Sequence, residues 1–177
     1  MKEIIWHGRG GQGAFTAARL LGAAFTANDD MHFALSFPTF GPERRGAPVM
    51  AFTKLSVEPV GDRSQVKKGD YVIFLDETLY LPKAEEELKE GGRIIVNSQV
   101  PRGQDNENVI RLDATAIALE TLGRPICNTI MLGALAGLDG DITTKDIEAA
   151  IREYMPPALH DANIAAVRKA ADAVNAK

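Results

Sequence analysis

Short apolar runs bounded by glycine, proline or carboxylates recur along the chain and predict β-strands. The predicted strands cover residues 2–6, 32–37, 49–55, 70–76, 93–98 and 109–112. The run at 70–76 is the clearest of them. Its continuous apolar residues, closed by carboxylates, are typical of a strand in a sheet that is covered on both faces.

Apolar residues at helical spacing predict helices between and after these strands. The predicted helices cover residues 14–27, 77–89, 114–121, 129–138, 143–155 and 162–174. Gly91-Gly92 and Gly123 are predicted to end two of them, and Asn128 is predicted to cap a third. Strands that alternate with helices predict an α/β fold, with a Rossmann-like, doubly wound, mostly parallel sheet and a helical carboxyl-terminal third.

A glycine-rich turn joins the first predicted strand to the first predicted helix. Its sequence is Gly8-Arg9-Gly10-Gly11-Gln12-Gly13, which contains the G-x-G-x-x-G spacing. Without Cβ atoms, such a turn lets backbone N–H groups and a helix N-terminus approach an anion closely. The turn therefore predicts a phosphate or pyrophosphate site, and the alternative is a strand-to-helix turn that serves packing alone.

A nicotinamide or flavin enzyme is the first interpretation that this turn suggests. Such folds place an acidic residue about 20 positions past the glycines, at the end of the second strand, to hold the ribose hydroxyls. Here that region reads Leu35-Ser36-Phe37-Pro38, and Asp29 and Asp30 precede the strand. A cationic segment follows instead, Glu43-Arg44-Arg45, which suits a more highly phosphorylated anion or an acidic partner.

The composition narrows the class of protein further. A length of 177 residues suits one domain, here 1–177, and 45% apolar with 25% charged residues is ordinary for a soluble globular protein. A net charge of −4 gives no general attraction to nucleic acid or to anionic membranes. No apolar run has the length of a membrane helix and no signal peptide is recognisable, so a cytoplasmic location is predicted.

Cysteine and histidine usage limits the chemistry that the chain can perform. The single cysteine, Cys127, excludes an internal disulfide and an iron–sulfur cluster held by thiolates of this chain alone. The histidines are scattered without metal-ligand spacing. We predict that Cys127 is a small core residue and that His7 is a structural histidine. The acidic pair Asp76-Glu77 is explained as the start of a helix.

Two motifs in combination are far more specific than the glycine spacing. They are Gly8-Arg9-Gly10-Gly11-Gln12-Gly13 and Ser36-Phe37-Pro38-Thr39-Phe40-Gly41-Pro42-Glu43-Arg44-Arg45-Gly46-Ala47-Pro48, and the later segment 128–135 extends the match. Together they resemble the gamma subunit of 2-oxoacid:ferredoxin oxidoreductases, with the pyruvate type (pyruvate synthase) the most similar. The resemblance covers nearly the whole chain.

This resemblance implies a multi-subunit enzyme that oxidatively decarboxylates a 2-oxoacid to an acyl-coenzyme A and passes the electrons to ferredoxin. It implies partner subunits of three types: alpha, beta (thiamine-binding) and delta (ferredoxin-like). Thiamine diphosphate and [4Fe-4S] clusters then belong to those partners, and the gamma subunit is associated with coenzyme A. The isolated chain is accordingly expected to be inactive.

The expected roles follow from the turn and the resemblance together. The backbone of Gly8, Gly10, Gly11 and Gly13 is expected to contact the coenzyme A pyrophosphate. The side chains of Arg9 and Gln12 either touch phosphate or lie solvated at the surface. Arg44 and Arg45 bind phosphate, reach toward a neighbouring subunit, or pair with Glu43. Two rival functions remain: an autonomous dinucleotide-dependent oxidoreductase, and an architectural subunit that binds no ligand.

Overall fold

A computed structural model describes residues 1–27, 31–39, 45–99 and 106–176 of the chain. Its strands are β1 (Lys2–Arg9), β2 (Phe33–Pro38), β3 (Pro48–Ser56), β4 (Gly69–Phe74), β5 (Leu88–Asn97) and β6 (Val109–Leu112). Its α-helices are α1 (Ala14–Thr26), α2 (Ala114–Leu122), α3 (Asn128–Leu138), α4 (Thr144–Tyr154) and α5 (His160–Asn175). Short 3₁₀ helices cover Glu77–Leu79, Pro82–Glu87 and Pro157–Leu159.

All six strands form one sheet in the order β2-β3-β1-β4-β5-β6. Strands β1, β4, β5 and β6 are parallel to one another, whereas β3 runs antiparallel to both β1 and β2. The predicted α/β class, with a mostly parallel sheet and a helical carboxyl-terminal region, is confirmed. The carboxyl ends of the parallel strands meet at one edge, which is where sites in such sheets are found.

The two faces of the sheet are covered differently. One face packs against the α-helices in a core that includes Trp6, Leu21, Ile73 and Ile130. The core on the other face contains no α-helical residue within the described ranges. It is closed by Val66 from a loop and by Ala84 from a 3₁₀ helix, which pack on a row of strand residues: Ile5, Phe52, Val72, Phe74, Ile94, Val96 and Val109.

A hydrogen-bonded chain of side chains fixes the first strand to its neighbours. The fully buried Trp6 donates its indole N–H to Thr53 Oγ1 over 3.1 Å. Thr53 in turn donates its hydroxyl to the carbonyl oxygen of Ala18, also over 3.1 Å. Because each of these buried polar groups has a partner, the hydrogen bonds compensate for desolvation and join β1, β3 and α1.

The helix predicted over residues 77–89 is wrong. The region forms two 3₁₀ helices, and β5 already begins at Leu88. Pro82 is the physical reason, since a residue before proline is driven out of the α region and Leu81 is extended, with φ −106° and ψ 157°. The predicted helix stop at Gly91-Gly92 lies inside β5, where a Cβ on Gly92 would lie about 3.1 Å from the Asp70 carbonyl oxygen.

Most other predicted elements agree with the structure to within a few residues. The structure corrects one predicted helix cap and shows the details of a second. Cys127, and not Asn128, occupies the N-cap position of α3, because Asn128 is itself the first helical residue. A capping box of Thr143 and Asp146 opens α4. The polar break at 28–30, and parts of the connections expected at 39–48 and 101–108, lie outside the described residues.

Helix α3 packs on α5 at very short range. An added Cβ on Gly133 would lie 2.8 Å from Val167 Cα, and one on Gly137 would lie 2.6 Å from Val174 Cγ2. Glycine at these two positions, one helical turn apart, lets the two backbones touch. Within the described residues, no helix has the length and apolarity needed to cross a bilayer.

Candidate functional site

The glycine turn connects β1 to α1 at the carboxyl edge of the parallel strands. Gly11 and Gly13 adopt left-handed backbone conformations, with φ of +98° and +83°. A Cβ on Gly13 would also lie 2.6 Å from Nδ2 of Asn128, so glycine is required there for two reasons. Among the described residues, no side chain caps α1, so the amide groups of its first turn have no side-chain acceptor there.

Two backbone hydrogen bonds tie this turn to the segment that enters β3. Gly10 N–H donates to the Ala47 carbonyl oxygen over 2.8 Å, and Gly46 N–H donates to the Gly10 carbonyl oxygen over 3.0 Å. The exposed Arg45 directly precedes this contact. The predicted site residues 8–13 are therefore brought together with Arg45, whereas Arg44 lies outside the described residues.

The Arg9 side chain links the glycine turn to two other segments, residues 76–78 and the segment that enters β3. Its Nε donates to Asp76 Oδ2 over 3.0 Å, Nη1 to the Gly46 carbonyl oxygen over 3.1 Å, and Nη2 to Thr78 Oγ1 over 2.7 Å. Gln12 acts in the same network. Its Oε1 accepts from Arg9 N–H over 2.8 Å, and its Nε2 donates to Asp76 Oδ2 over 3.1 Å. Both side chains are thus engaged in holding the turn.

Asp76 lies at the centre of this network. Burial opposes its ionisation, but hydrogen bonds from Thr78 and Gln12 and the Arg9 charge outweigh that effect and lower the pKa of Asp76. The predicted role at a helix start is present, because Asp76 accepts from Thr78 N–H over 3.0 Å. The sequence alone did not predict that Asp76 pairs with Arg9. The available signal was a carboxylate at the end of a buried strand.

The topology also corrects the sequence test for a ribose-binding acid. That test assumed that the second strand in the chain is the parallel neighbour of β1. In the structure β2 is an edge strand, and the parallel neighbour of β1 is β4. The second position past the end of β4 is acidic, since it carries Asp76. The lack of an acid at residues 35–38 consequently carries no weight against a dinucleotide.

Two clefts flank the glycine turn. One, of about 300 Å³, lies against the start of α1 and is lined by residues that include Gly10, Gly11, Gly13, Phe15, Pro38 and Met50. The other, of about 390 Å³, lies over the ends of β4 and β5 and is lined by residues that include Gln12, Asp76, Glu77, Asn97, Thr115 and Cys127. The turn therefore lies between two clefts, one beside the start of α1 and one over the ends of β4 and β5.

The side chains of Cys127 and His7 are both engaged in contacts with neighbouring residues. Cys127 is buried, and its Sγ lies 3.4 Å from Nδ2 of Asn97 and 3.6 Å from Oγ1 of Thr115. Burial raises the pKa of the Cys127 thiol in spite of those contacts, as expected for a core residue. His7 lies 2.6 Å from Glu87 through Nε2, and its ring stacks on Phe74 at 4.5 Å.

Within the described ranges, no cluster of three or more histidine, cysteine, aspartate or glutamate side chains is arranged to hold a metal ion. The fold and the turn define an α/β protein of the Rossmann-like class with a glycine-rich strand-to-helix turn. The fold and the turn alone do not identify a reaction, which has to come from comparison with related proteins.

The comparisons with known proteins identify that family. The model of the pyruvate ferredoxin/flavodoxin oxidoreductase family matches residues 3–173. The chain is 47% identical over 169 residues to pyruvate synthase subunit PorC of Methanothermobacter marburgensis, which covers 95% of this chain and 94% of the relative. It is 42% identical over 178 residues to the pyruvate/ketoisovalerate oxidoreductases common subunit gamma of Pyrococcus abyssi, with coverages of 96% and 95%.

A solved structure agrees with this assignment. The pyruvate oxidoreductase subunit PORC of Thermotoga maritima superposes with a TM-score of 0.82 at 35% identity, and covers 97% of this chain and 95% of the solved one. The chain belongs to the pyruvate ferredoxin/flavodoxin oxidoreductase family. It is a gamma-type subunit of an oxidoreductase of the pyruvate synthase class, as the resemblance in the sequence implied.

Proposed function

We propose that this chain supplies the phosphate-binding part of a coenzyme A site in a 2-oxoacid:ferredoxin oxidoreductase. The observation that carries the proposal is the glycine turn, with the cation Arg45 beside it and, in the part of the chain that the structure describes, no side-chain cap on the start of α1. Amide groups at a helix start and a guanidinium are the groups that bind phosphate in proteins. Among the substrates of this reaction class, coenzyme A carries phosphates.

The roles of the predicted residues divide into two kinds. The backbone of Gly11 and Gly13 presents amide groups to the pyrophosphate, whereas the Gly10 amide donates to Ala47 and fixes the turn. Arg45 together with Arg44 supplies positive charge. Arg9 and Gln12 act through the turn, since their polar groups are engaged with Asp76 and with backbone. The apolar atoms of Phe15 and Met50 line the cleft beside the helix start and suit the uncharged part of the ligand.

The rest of the chemistry is assigned to partner subunits. A chain with one cysteine, itself buried, does not fit a [4Fe-4S] cluster, which needs several thiolates. We place the clusters in a delta subunit and thiamine diphosphate in a beta subunit. When bound there, thiamine diphosphate stabilises the carbanion formed on decarboxylation. An alpha subunit completes the complex, ferredoxin accepts the electrons, and the assembly acts in the cytoplasm on pyruvate.

Within that complex we treat residues 1–177 as one gamma domain, because its strands form a single sheet. The isolated chain is expected to show no turnover with pyruvate, thiamine diphosphate, coenzyme A and an electron acceptor. Turnover by the lone polypeptide would contradict the proposal.

The test is the KM for coenzyme A of the assembled complex. Loss of a charge-assisted contact to phosphate predicts a KM raised about tenfold or more in the R44A/R45A double variant. The matched control is Arg63→Ala. Arg63 is also exposed, but it lies in the loop from β3 to β4, at the opposite edge of the sheet.

A second variant, Gly10→Val, perturbs the turn itself. Co-purification of the other subunits has to be intact for each variant, so that a change in KM is separated from a failure of assembly. An unchanged KM for coenzyme A in both variants, with the complex assembled, would refute the proposal and leave an architectural subunit whose turn binds no ligand.

A further inference from the structure

Asp76 occupies a position that usually serves another purpose. In dinucleotide-binding folds, the residue at the end of the parallel strand next to β1 is an acid that accepts from ribose hydroxyls. Strand β4 is that neighbour here, with Trp6 opposite Ile73 and His7 opposite Phe74, and Asp76 follows its end. An acid at this topological position requires another explanation here, because the family of this chain is described by ferredoxin and flavodoxin.

The hydrogen bonds of Asp76 show that its carboxylate is fully used inside the protein. Oδ2 accepts from Arg9 Nε over 3.0 Å and from Gln12 Nε2 over 3.1 Å. Oδ1 accepts from Thr78 N over 3.0 Å and from Thr78 Oγ1 over 2.6 Å. A carboxylate has about four lone-pair sites. With all of them occupied, Asp76 has no acceptor left for a ribose diol.

The partners of Asp76 connect it to two parts of the proposed phosphate site, the glycine turn and the segment that carries Arg45. Gln12 belongs to the glycine turn itself, and its Oε1 accepts from the Arg9 amide. The Arg9 guanidinium continues from Asp76 to the carbonyl oxygen of Gly46, next to Arg45. The Asp76 side chain is only 18% exposed and that of Arg9 33%, so the pair is partly shielded from water. A carboxylate at this point aligns both the turn and the cationic segment.

We propose that Asp76 is a positioning residue for coenzyme A binding, which sets the conformation of the glycine turn through Gln12 and the position of Arg45 through Arg9. This inference rests on the proposed function. It replaces the ribose-binding role of an acid at this position with a brace between the ends of β1 and β4. Asp76 touches no substrate in this scheme, and its removal weakens binding without altering the chemical step.

The first measurement is hydrogen–deuterium exchange in the assembled complex of the Asp76→Asn variant. Asparagine has nearly the same shape but carries no charge and fewer acceptor sites. Three amides report on the brace: Gly10 N–H, Gln12 N–H and Gly46 N–H, which donate to Ala47, Arg9 and Gly10. We expect these amides to exchange about tenfold faster, with the strands of the sheet unchanged, because local openings are reported separately from global unfolding.

The second measurement is steady-state kinetics of the same variant. The KM for coenzyme A is expected to rise about tenfold while kcat stays within about twofold, as for the loss of binding that is equal in ground and transition states. Asp70→Asn is the matched control, since Asp70 is a carboxylate at the beginning of β4, whereas Asp76 follows its end. Asp70 accepts from Glu3 N–H over 2.7 Å and from Lys89 Nζ over 2.8 Å, at the far end of the strand.

Arg9→Ala provides a second variant that separates positioning from general weakening. If Asp76 acts through Arg9 and Gln12, then Asp76→Asn adds much less to the KM on the Arg9→Ala background than it does alone. Equal increments on the two backgrounds would show that Asp76 does not act through Arg9, and would overturn the proposal.

The outcomes distinguish this inference from the proposed function. Exchange at the three amides that is unchanged in Asp76→Asn, or equally faster in Asp70→Asn, overturns the positioning role. Faster exchange with an unchanged KM leaves Asp76 as the brace of the turn but overturns its link to coenzyme A, whereas the KM of the R44A/R45A variant decides the proposed function separately. Faster exchange with a raised KM, both specific to Asp76, supports both.

Discussion

Replacement of Gly133 by alanine tests the closest contact in the core. Gly133 lies in α3 opposite α5, and a Cβ there would lie 2.8 Å from Val167 Cα and 2.9 Å from the Val167 carbonyl carbon. These are backbone atoms, which no change of rotamer can move aside. Accommodation of the methyl group therefore requires that α3 and α5 separate.

The size of the effect follows from two opposing contributions. Overpacking of a well-packed core costs about 1–3 kcal/mol, and the backbone contact places Gly133 at the upper end of that range. The higher helix propensity of alanine stabilises the helix interior by about 1 kcal/mol relative to glycine. The net expectation is a loss of about 2 kcal/mol in the free energy of unfolding, or a melting temperature lower by about 4–8 °C in a chain of this size.

Urea unfolding followed by far-ultraviolet circular dichroism measures this loss. Gly140→Ala is the control, because a Cβ on Gly140 meets no atom within 4 Å, and its free energy of unfolding should change by less than about 0.5 kcal/mol. A Gly133→Ala variant as stable as the parent chain, or more stable, would refute the close approach of α3 and α5.

Three further predictions concern single side chains. Thr143→Ala removes the capping box that Thr143 forms with Asp146 and should cost about 1 kcal/mol of stability in urea unfolding. Cys127, whose pKa burial raises, should react with a thiol reagent at about pH 8 far more slowly in the native chain than after unfolding. A hydrogen bond from Lys54 lowers the pKa of Asp62 below its ordinary 3.8, so this contribution to stability is present above that pH and is lost as the pH falls further. Asp62→Asn should therefore flatten the acid limb of stability against pH.

Each of these has a control or a contradicting result. Thr144→Ala changes the next residue without removing the cap and should leave stability nearly unchanged. Native Cys127 that reacts as fast as the unfolded chain would place the thiol at the surface. If Asp62→Asn leaves the acid limb of stability unaltered, the contact between Lys54 and Asp62 does not stabilise the fold.

Local patterns predicted the elements of this fold better than their arrangement. Strands such as β4 and β6 were found because buried apolar runs identify them without reference to neighbours. The insertion of antiparallel β3 beside β1 was not foreseeable, since strand order depends on packing between segments far apart in sequence. The predicted helix at 77–89 failed for a related reason: its glutamates favour a helix, but Pro82 and the pairing of Leu88 with Gly69 override that preference.

The candidate site shows the same division. The glycine turn was located correctly from spacing alone, because positive φ at Gly11 and Gly13 demands glycine locally. The roles of Arg9 and Gln12 depend on Asp76, which is more than sixty positions away along the chain. No local pattern records that contact, so the sequence left these side chains open between phosphate and solvent.

The buried indole of Trp6 gives the subunit its own optical probe. Trp6 is the only tryptophan in the chain, its side chain is shielded from water, and its N–H is hydrogen-bonded to Thr53. It lies on β1, two positions before Gly8, where the strand enters the glycine turn. The emission maximum of the free subunit should therefore be blue-shifted, and its shift to longer wavelength during unfolding reports the release of this strand without any label.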